Sequence, residues 1–248
     1  MPVKFPALHS PPPFAICIGA NEMKKLPIFA GIGMAALLAG GLAVWSGQND
    51  PVQAQSSSGD TSDEKALRVR FQIQNDPVAP TIAPQNYDVT VVVFADYQCP
   101  FCRKLHPTLE SLMAKDPKVK LVYRDWPVFG AASEEAARAG IASTWQGKHA
   151  EFNDALMTIS GRVNSQSIRA AADKAGVDWA QLQSDLTTHE EEIDGALRRN
   201  AQYAAMLSLQ GTPGLLVGPY LIPGAIDTDG LHEAVAMART DPEGVGVQ

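Results

Sequence analysis

The hydrophobic pattern predicts two central strands between residues 88 and 128. The run DVTVVVF, residues 88–94, is continuously β-branched and aromatic, which is typical of a strand buried on both faces. KVKLVYRDWPV, residues 118–128, alternates as a second strand until Pro127 interrupts it. Between them, leucines recurring at spacings of three and four predict a helix from Cys99 to about Ala114. This order predicts a parallel pair joined by a crossover helix.

The rest of the chain divides into a helical stretch and a short second group of strands. Residues 131–208 hold Ala-rich segments with helical periodicity and no convincing strand. GTPGLLVGPYLIPGA, residues 211–225, predicts a turn followed by two short strands, and a closing helix covers about 229–239. We therefore predict an α/β fold whose first half is 69–130, whose all-helical insertion is 131–208 and whose second half is 209–242.

The N-terminal segment has the pattern of an export signal. Lys24 and Lys25 precede an uncharged, apolar stretch from 26 to 45, after which the chain turns polar. We assign residues 1–54 to an N-terminal extension and signal, cleaved after Ala54 or retained as a membrane anchor. Residues 55–68 are predicted to be a flexible tether. Translation from Met23 rather than Met1 is an alternative that this pattern leaves open.

Composition restricts the classes of partner. The formal net charge is -7, and the lysines and arginines are scattered rather than clustered, so we expect no nucleic-acid partner. Of three cysteines, Cys17 precedes the signal, which leaves Cys99 and Cys102 in the exported part. Two cysteines do not make a disulfide-rich secreted scaffold.

Three interpretations of Cys99 and Cys102 compete. A structural zinc site needs about four ligands, and the histidines of the exported part are isolated from one another. A purely structural disulfide across so short a loop contributes only about 2 kcal/mol by loop-closure entropy. A reactive dithiol explains the position of the pair between a strand and a helix, and we favour it.

The predicted helix supplies a reason for reactivity. At its first turn, unpaired N–H groups and the positive end of the helix dipole favour thiolate over thiol at Cys99. Pro100 suits the first helical position, and Phe101 adds no charge or side-chain donor. Cys102 returns to the same face one turn deeper. We expect an accessible Cys99 sulfur that attacks and a Cys102 thiol that resolves.

GTPG, residues 211–214, is the second candidate feature. It predicts either an ordinary proline turn or a cis peptide bond between Thr212 and Pro213. In the second case Thr212 would offer its backbone N–H and C=O to an extended substrate strand beside the cysteines.

Taken together, FADYQCPFC, YRDWPV, GTPG and LIPGA resemble the DsbA-like branch of the thioredoxin superfamily. The resemblance implies a thioredoxin fold with a helical insertion, Cys99 as nucleophile, Cys102 as resolving thiol, Pro213 as cis-proline at the substrate groove, and no metal or organic cofactor. Two positions depart from the family pattern. Phe101 replaces a histidine of the strongly oxidising member, and Val93 stands where many thioredoxin-like proteins carry a buried carboxylate. We expect Lys104 and His106 to be solvated, and Asp96 to be a solvated or capping side chain.

These features predict an envelope thiol-disulfide oxidoreductase acting on exported proteins with free thiols. We favour a monomeric dithiol oxidase re-oxidised by a quinone-linked membrane partner, because family isomerases usually carry an added N-terminal dimerisation domain for which this chain has too little room. The alternatives are an isomerase or reductase of the same fold, or a non-enzymatic envelope chaperone or metal-handling protein.

Overall fold

The computed structural model describes residues 62–244. The predicted signal at 1–54, the two possible start methionines and Cys17 lie outside these residues. Eight α-helices are present in the described range: α1 Ser62–Gln74, α2 Pro100–Lys115, α3 Ala131–Ala142, α4 His149–Met157, α5 Ser165–Ala175, α6 Trp179–Thr188, α7 Glu190–Met206 and α8 Thr228–Thr240. A 3-10 helix, Ser143–Gln146, follows α3. None of the helices between 62 and 244 is long and apolar enough to cross a membrane.

Five strands form one sheet at the centre of the fold. They are β1 Thr81–Ile82, β2 Val89–Ala95, β3 Val119–Asp125, β4 Gly214–Val217 and β5 Tyr220–Pro223, in the order β1-β3-β2-β4-β5. The pair β2 and β3 is parallel with Ala95 opposite Asp125, and the other pairs are antiparallel. The predicted parallel pair with a crossover helix is confirmed. The short strand β1 was not predicted, because two residues carry no periodicity.

The two faces of the sheet are covered by different helices. Val91, Val93 and Ala95 of β2 pack in the larger core with residues of α2, α8 and the insertion. Val92 and Phe94 point to the opposite face, where Ile73 of α1 and residues of α7 cover them. Alternation along β2 therefore separates the face that carries the cysteines from the face that anchors the N-terminal helix.

The predicted tether is wrong for residues 62–68, which begin α1. The segment is made of good helix formers, and acidic Asp63 and Glu64 lie in the first turn, where they suit the helix dipole. Ile73 near the end of α1 is fully buried and fixes the helix to the sheet. Residues 55–61 lie outside the described range.

A buried ion cluster joins α1, β3 and α7. The Arg124 side chain is fully buried and donates to Asp76 at 2.9 Å and to Asn200 at 3.1 Å. Arg199 donates to both oxygens of Asp76, at 2.7 and 2.9 Å. Burial alone would raise the pKa of Asp76, but hydrogen bonds from Arg199 and Arg124 outweigh it and lower the pKa to about 2. The cluster therefore holds the helical insertion and the N-terminal helix on the same strand.

Candidate active site

Cys99 lies at the junction between the end of β2 and the start of α2. It is the N-cap residue of α2, with extended backbone angles (φ -71°, ψ 119°), and Pro100 occupies the first turn. The Cys99 carbonyl accepts the first hydrogen bond of the helix, from Arg103 N at 3.1 Å. The position predicted for Cys99 and Pro100 is confirmed. Cys102 follows one turn later on the inner side of α2, and both cysteines are free thiols in this structure.

The expected accessibility of Cys99 is wrong, since only 1% of the residue is exposed. The Cys99 thiol lies against the loop before β4 and donates to the carbonyl oxygen of Thr212 at 3.2 Å. The peptide bond between Thr212 and Pro213 is cis, as one of the two interpretations predicted. Phe101, two residues after Cys99, is 61% exposed, in contrast to the buried thiol. The carbonyl that was expected to receive a substrate strand is thus occupied by the thiol itself.

Cys102 is buried beneath the helix turn. Burial raises the pKa of its thiol to about 12; the backbone of Asp96 and the Thr212 hydroxyl oppose the rise, and the neighbouring Cys99 adds to it. A cavity of about 10 Å³ adjoins Cys102, the space of about one water molecule. Besides Cys102, five apolar side chains line the cavity: Val93, Ala95, Leu105, Leu109 and Met157. Three polar side chains complete the lining: His106, Tyr123 and Asn153.

Asp125 is a buried carboxylate that the sequence analysis did not single out. It lies at the end of β3 on the same face as Tyr123, and 3% of it is exposed. Burial raises the pKa of Asp125 to about 7, although the Tyr97 hydroxyl lowers it. Within the described residues, Asp125 Oδ2 has no hydrogen-bond partner. Alternation along β3 was the signal that could have placed Asp125 on the buried face.

Asp96 was expected to be a solvated or capping side chain. It is not solvated, since 2% of it is exposed, and its carboxylate accepts backbone N–H groups of the loops around the cysteines. Oδ1 accepts from Gln98 N and from the Ser133 hydroxyl, both at 2.7 Å. Oδ2 accepts from Val128 N at 2.7 Å and from Phe129 N at 3.1 Å. One carboxylate therefore fixes the turn before Cys99 to the loop after β3 and to the first turn of α3.

Arg103 fixes the first turn of α2 from the other side, and sequence reasoning also missed it. Its guanidinium donates to the Tyr97 carbonyl at 2.7 Å and to the carbonyls of Ile159 and Gly161 at 3.0 Å. The carbonyls of Ile159 and Gly161 belong to the loop after α4. No local sequence signal predicts such partners, because they lie more than fifty residues away along the chain.

His106 was expected to be solvated and is instead buried, with 5% of the residue exposed, whereas Lys104 is exposed as predicted. His106 Nε2 lies 3.2 Å from Asp154 Oδ1 and 3.7 Å from Glu110 Oε1. Of the residues described, these three side chains form a group whose ligand atoms lie within 4.8 Å of one another, close enough to share a metal ion. His106 belongs to the stripe of Leu105 and Leu109, a spacing that could have predicted its burial.

Residues 90–236 match the family described as DSBA-like thioredoxin domain. The chain belongs to this family of thiol-disulfide oxidoreductases. A thioredoxin-like oxidoreductase from Silicibacter pomeroyi DSS-3 is 39% identical, with a TM-score of 0.66 over 69% of this chain and 98% of that one. The thiol-disulfide exchange protein alpha-DsbA2 from Wolbachia pipientis is 26% identical, with a TM-score of 0.66 over 71% of this chain and 94% of that one.

Curated relatives divide into two kinds. A probable disulfide bond formation protein D from Bacillus anthracis is 27% identical over 162 residues, which cover 59% of this chain and 72% of that protein. The Na(+)/H(+) antiporter NhaA 3 from Salinispora tropica is 27% identical over 167 residues, 65% of this chain. The chain spans only about a quarter of the length of the antiporters it matches. The DSBA-like match places the cysteines, the insertion and the proline loop within one known fold.

Proposed function

We propose that this DSBA-like protein is an envelope dithiol oxidase that passes the Cys99-Cys102 disulfide to cysteines of exported proteins. The observation that carries the proposal is the contact between the Cys99 sulfur and the Thr212 carbonyl oxygen, which lie 3.2 Å apart. This contact joins the amino end of α2 to the cis-proline loop, so that one reactive sulfur and one substrate-binding backbone segment share a site. Similarity to the Wolbachia thiol-disulfide exchange protein and to the Bacillus probable disulfide bond formation protein D supports the same chemistry.

The proposed reaction is a pair of thiolate exchanges. A client thiolate attacks the Cys99 sulfur, the bond between Cys99 and Cys102 breaks, and Cys102 leaves with the electron pair and takes up a proton. A second client thiolate then attacks the client sulfur of the mixed disulfide and releases Cys99 as a thiolate. The client dithiol is oxidised, and the Cys99-Cys102 pair is reduced by the same two electrons.

The surface around Cys99 suits an extended, apolar client segment. Phe101 and Phe129 are 61% and 53% exposed, and Val128 is 43% exposed. The loop that carries Val128 and Phe129 is bound by Asp96, three residues before Cys99. A client strand lying along Thr212 and Pro213 would displace the thiol from the Thr212 carbonyl, which also uncovers the sulfur for exchange.

The partners and location follow from the same proposal. Oxidised Cys99-Cys102 must be regenerated, and a quinone-linked membrane protein is the partner we propose. The apolar segment at 26–45 would carry the protein to the envelope, with residues 62–244 outside the membrane as a monomer. An isomerase or reductase of the same fold, and a non-enzymatic chaperone, are the competing functions.

The decisive experiment combines trapping with a redox titration. Cys102→Ser should accumulate mixed disulfides with exported proteins through Cys99, whereas Cys99→Ser should accumulate none. Equilibration of the wild-type Cys99-Cys102 pair with glutathione then gives its reduction potential, which distinguishes an oxidase from a reductase. A difference of about 30 mV corresponds to about 1.4 kcal/mol for a two-electron couple. A potential near that of thioredoxin would contradict the oxidase, and function retained in the double Cys→Ser variant would indicate a chaperone.

A further inference from the structure

His106, Glu110 and Asp154 form a group of metal-ligating side chains outside the exchange site. His106 and Glu110 belong to α2, Asp154 belongs to α4, and their ligand atoms lie within 4.8 Å of one another. We infer that these three residues bind a divalent transition-metal ion, and that Zn²⁺ is the ion this set of ligands suits. The inference goes beyond the proposed function, because it does not depend on thiol exchange at Cys99.

The distances from the imidazole to the two carboxylates are close to those of a zinc site. His106 Nε2 lies 3.2 Å from Asp154 Oδ1 and 3.7 Å from Glu110 Oε1. Two ligand atoms of a tetrahedral zinc ion, each about 2.0–2.2 Å from the metal, are about 3.3–3.6 Å apart. Only small side-chain movements are therefore needed for the three groups to share one ion.

The helix fixes the first ligand, and the surface supplies the other two. His106 and Glu110 are four residues apart on α2, a spacing that places two side chains on one helix face and that recurs in helical metal sites. His106 is held by packing, since only 5% of the residue is exposed. The side chains of Asp154 and Glu110 are 41% and 55% exposed, so they can adjust around an ion.

The charge of the ligand set matches a divalent cation. Two carboxylates balance the two positive charges of the ion, and imidazole with carboxylate oxygen is a combination that Zn²⁺ takes in proteins. Lys174 of α5 is an opposing cation, with its ammonium 3.9 Å from Asp154 Oδ2. It pairs with the oxygen of Asp154 that does not contact His106, so Oδ1 remains available to a metal.

An ion can reach the group from solvent. Glu110 and Asp154 line an open groove together with Glu151 and Lys174, so the groove carries three carboxylates and one ammonium. The three proposed ligands leave a fourth tetrahedral position, which opens on this groove and can hold a water molecule. The arrangement therefore resembles a zinc site with three protein ligands rather than a closed structural one.

The inner side of His106 offers the support that a metal-bound imidazole needs. When Nε2 binds a metal, the ring carries its proton on Nδ1, and ligating histidines almost always donate that proton to an acceptor. Asn153 lines the same cavity of about 10 Å³ as His106 and is 1% exposed. In the part of the chain that the structure describes, Asn153 Oδ1 has no hydrogen-bond partner. A buried acceptor without a donor therefore shares a cavity with the ring.

The test measures zinc binding with the thiols removed. The full chain carrying Cys17→Ser, Cys99→Ser and Cys102→Ser is titrated with Zn²⁺ by calorimetry, so that no thiolate competes for the ion. We expect this parent to bind one ion per chain. His106→Gln and Asp154→Asn should each weaken binding at least about tenfold, because even changes to groups that only support a metal ligand cost about that much.

The matched control is His189→Gln in the same parent. His189 also lies beside a carboxylate, Glu192 at 2.9 Å, but no third metal-ligating side chain joins them among the described residues. Its removal should leave the affinity within about twofold. Lys174→Gln should instead tighten binding about two- to fivefold, since a surface charge next to Asp154 is removed. No zinc bound by the parent, or equal losses in His106→Gln and His189→Gln, would overturn the inference.

Unfolding in urea gives a second readout. An ion held only by the folded chain stabilises it, so Zn²⁺ should raise the urea midpoint of the parent and of His189→Gln and leave that of His106→Gln unchanged. Zinc binding without any such shift would contradict a site built by the fold. Because these measurements use no thiol, failure of exchange in the wild type is seen separately from failure of the metal site.

The test also holds if a variant does not fold. In that case for His106→Gln, the partly exposed positions decide: about tenfold weaker binding in Asp154→Asn supports the site, and unchanged binding in both Asp154→Asn and Glu110→Gln contradicts it. If the serine parent does not fold, oxidised wild-type protein alkylated at Cys17 takes its place, with the same expected results.

Discussion

Cys99 and Thr212 lie 113 positions apart in the chain, yet the sulfur of one is 3.2 Å from the carbonyl oxygen of the other. The contact closes the loop before β4 over the amino end of α2, which is why Cys99 is only 1% exposed. In the reaction proposed above, the thiol keeps this contact until a client strand takes its place on the Thr212 carbonyl.

The Cys102 thiol should resist alkylation. In a Cys99→Ser variant we expect the rate of reaction with iodoacetamide to keep rising with pH, without a plateau below about pH 10, because the pKa of Cys102 is raised to about 12 by burial. The rate is read by mass spectrometry over time. A plateau near neutral pH would show that Cys102 ionises readily and would contradict the buried environment.

Asp96→Ala should destabilise the fold by about 3 kcal/mol, since four hydrogen bonds to a buried carboxylate are lost. The measurement is the free energy of unfolding in urea. Asp88→Ala is the control, because Asp88 is exposed and its ion pair with Arg239 at 2.8 Å should contribute about 1 kcal/mol or less. Equal losses in the two variants would mean that Asp96 does not organise the site.

Asp125→Asn should change the pH dependence of stability. The folded pKa of about 7 lies above the unfolded value near 4, so the folded state holds a proton that the unfolded chain gives up. The wild type therefore loses stability as pH rises from about 4 through 7, and Asp125→Asn should not. The free energy of unfolding of the variant minus that of the wild type should therefore be larger at about pH 8 than at about pH 5.

Urea unfolding at both pH values measures this difference. Asp229→Asn, at an exposed position of α8, is the matched substitution and should show no such change. If Asp125→Asn and Asp229→Asn behave alike, the Asp125 carboxyl is not buried with a raised pKa.

Phe101→Ser and Phe129→Ser should weaken exchange with an unfolded protein more than exchange with glutathione. Both rings are largely exposed beside the site, so they have apolar area to offer a client but little to offer a small polar thiol. We expect KM for a reduced, unfolded client to rise about fivefold and the glutathione rate to stay within about twofold. Exposed Met237 of α8 supplies the control, Met237→Ser. Parallel losses with both thiols would contradict a client-binding surface.

Much of the fold was predictable because its cues are local. The β-branched run before Cys99, the alternation before Pro127 and the helical periodicity of the insertion each report the burial of neighbouring positions on one element. The helix boundary at Cys99 follows equally from Pro100, whose ring fits the first turn. These cues placed β2, α2, β3 and the two short C-terminal strands correctly.

The environment of the site was less predictable. Asp96 was expected to be solvated or capping, and His106 and Cys99 were expected to reach solvent; all three are buried. Their side chains contact Ser133, Asp154 and Thr212 respectively, which approach from α3, α4 and the loop before β4. No local pattern contains that information.

The amino-acid sequence by itself determined where the four longer strands, the helix between the first two of them and the helical insertion lie, and that a cysteine stands at the amino end of a helix. Backbone propensity and side-chain periodicity depend on a few neighbouring residues, so a short stretch of sequence is enough to predict them. Only the tertiary structure decided that the Cys99 thiol rests against Thr212, and that His106 and Cys102 share a cavity closed by β3 and α4. Solvent exclusion depends on every element that packs around a group, and that packing exists only in the folded chain.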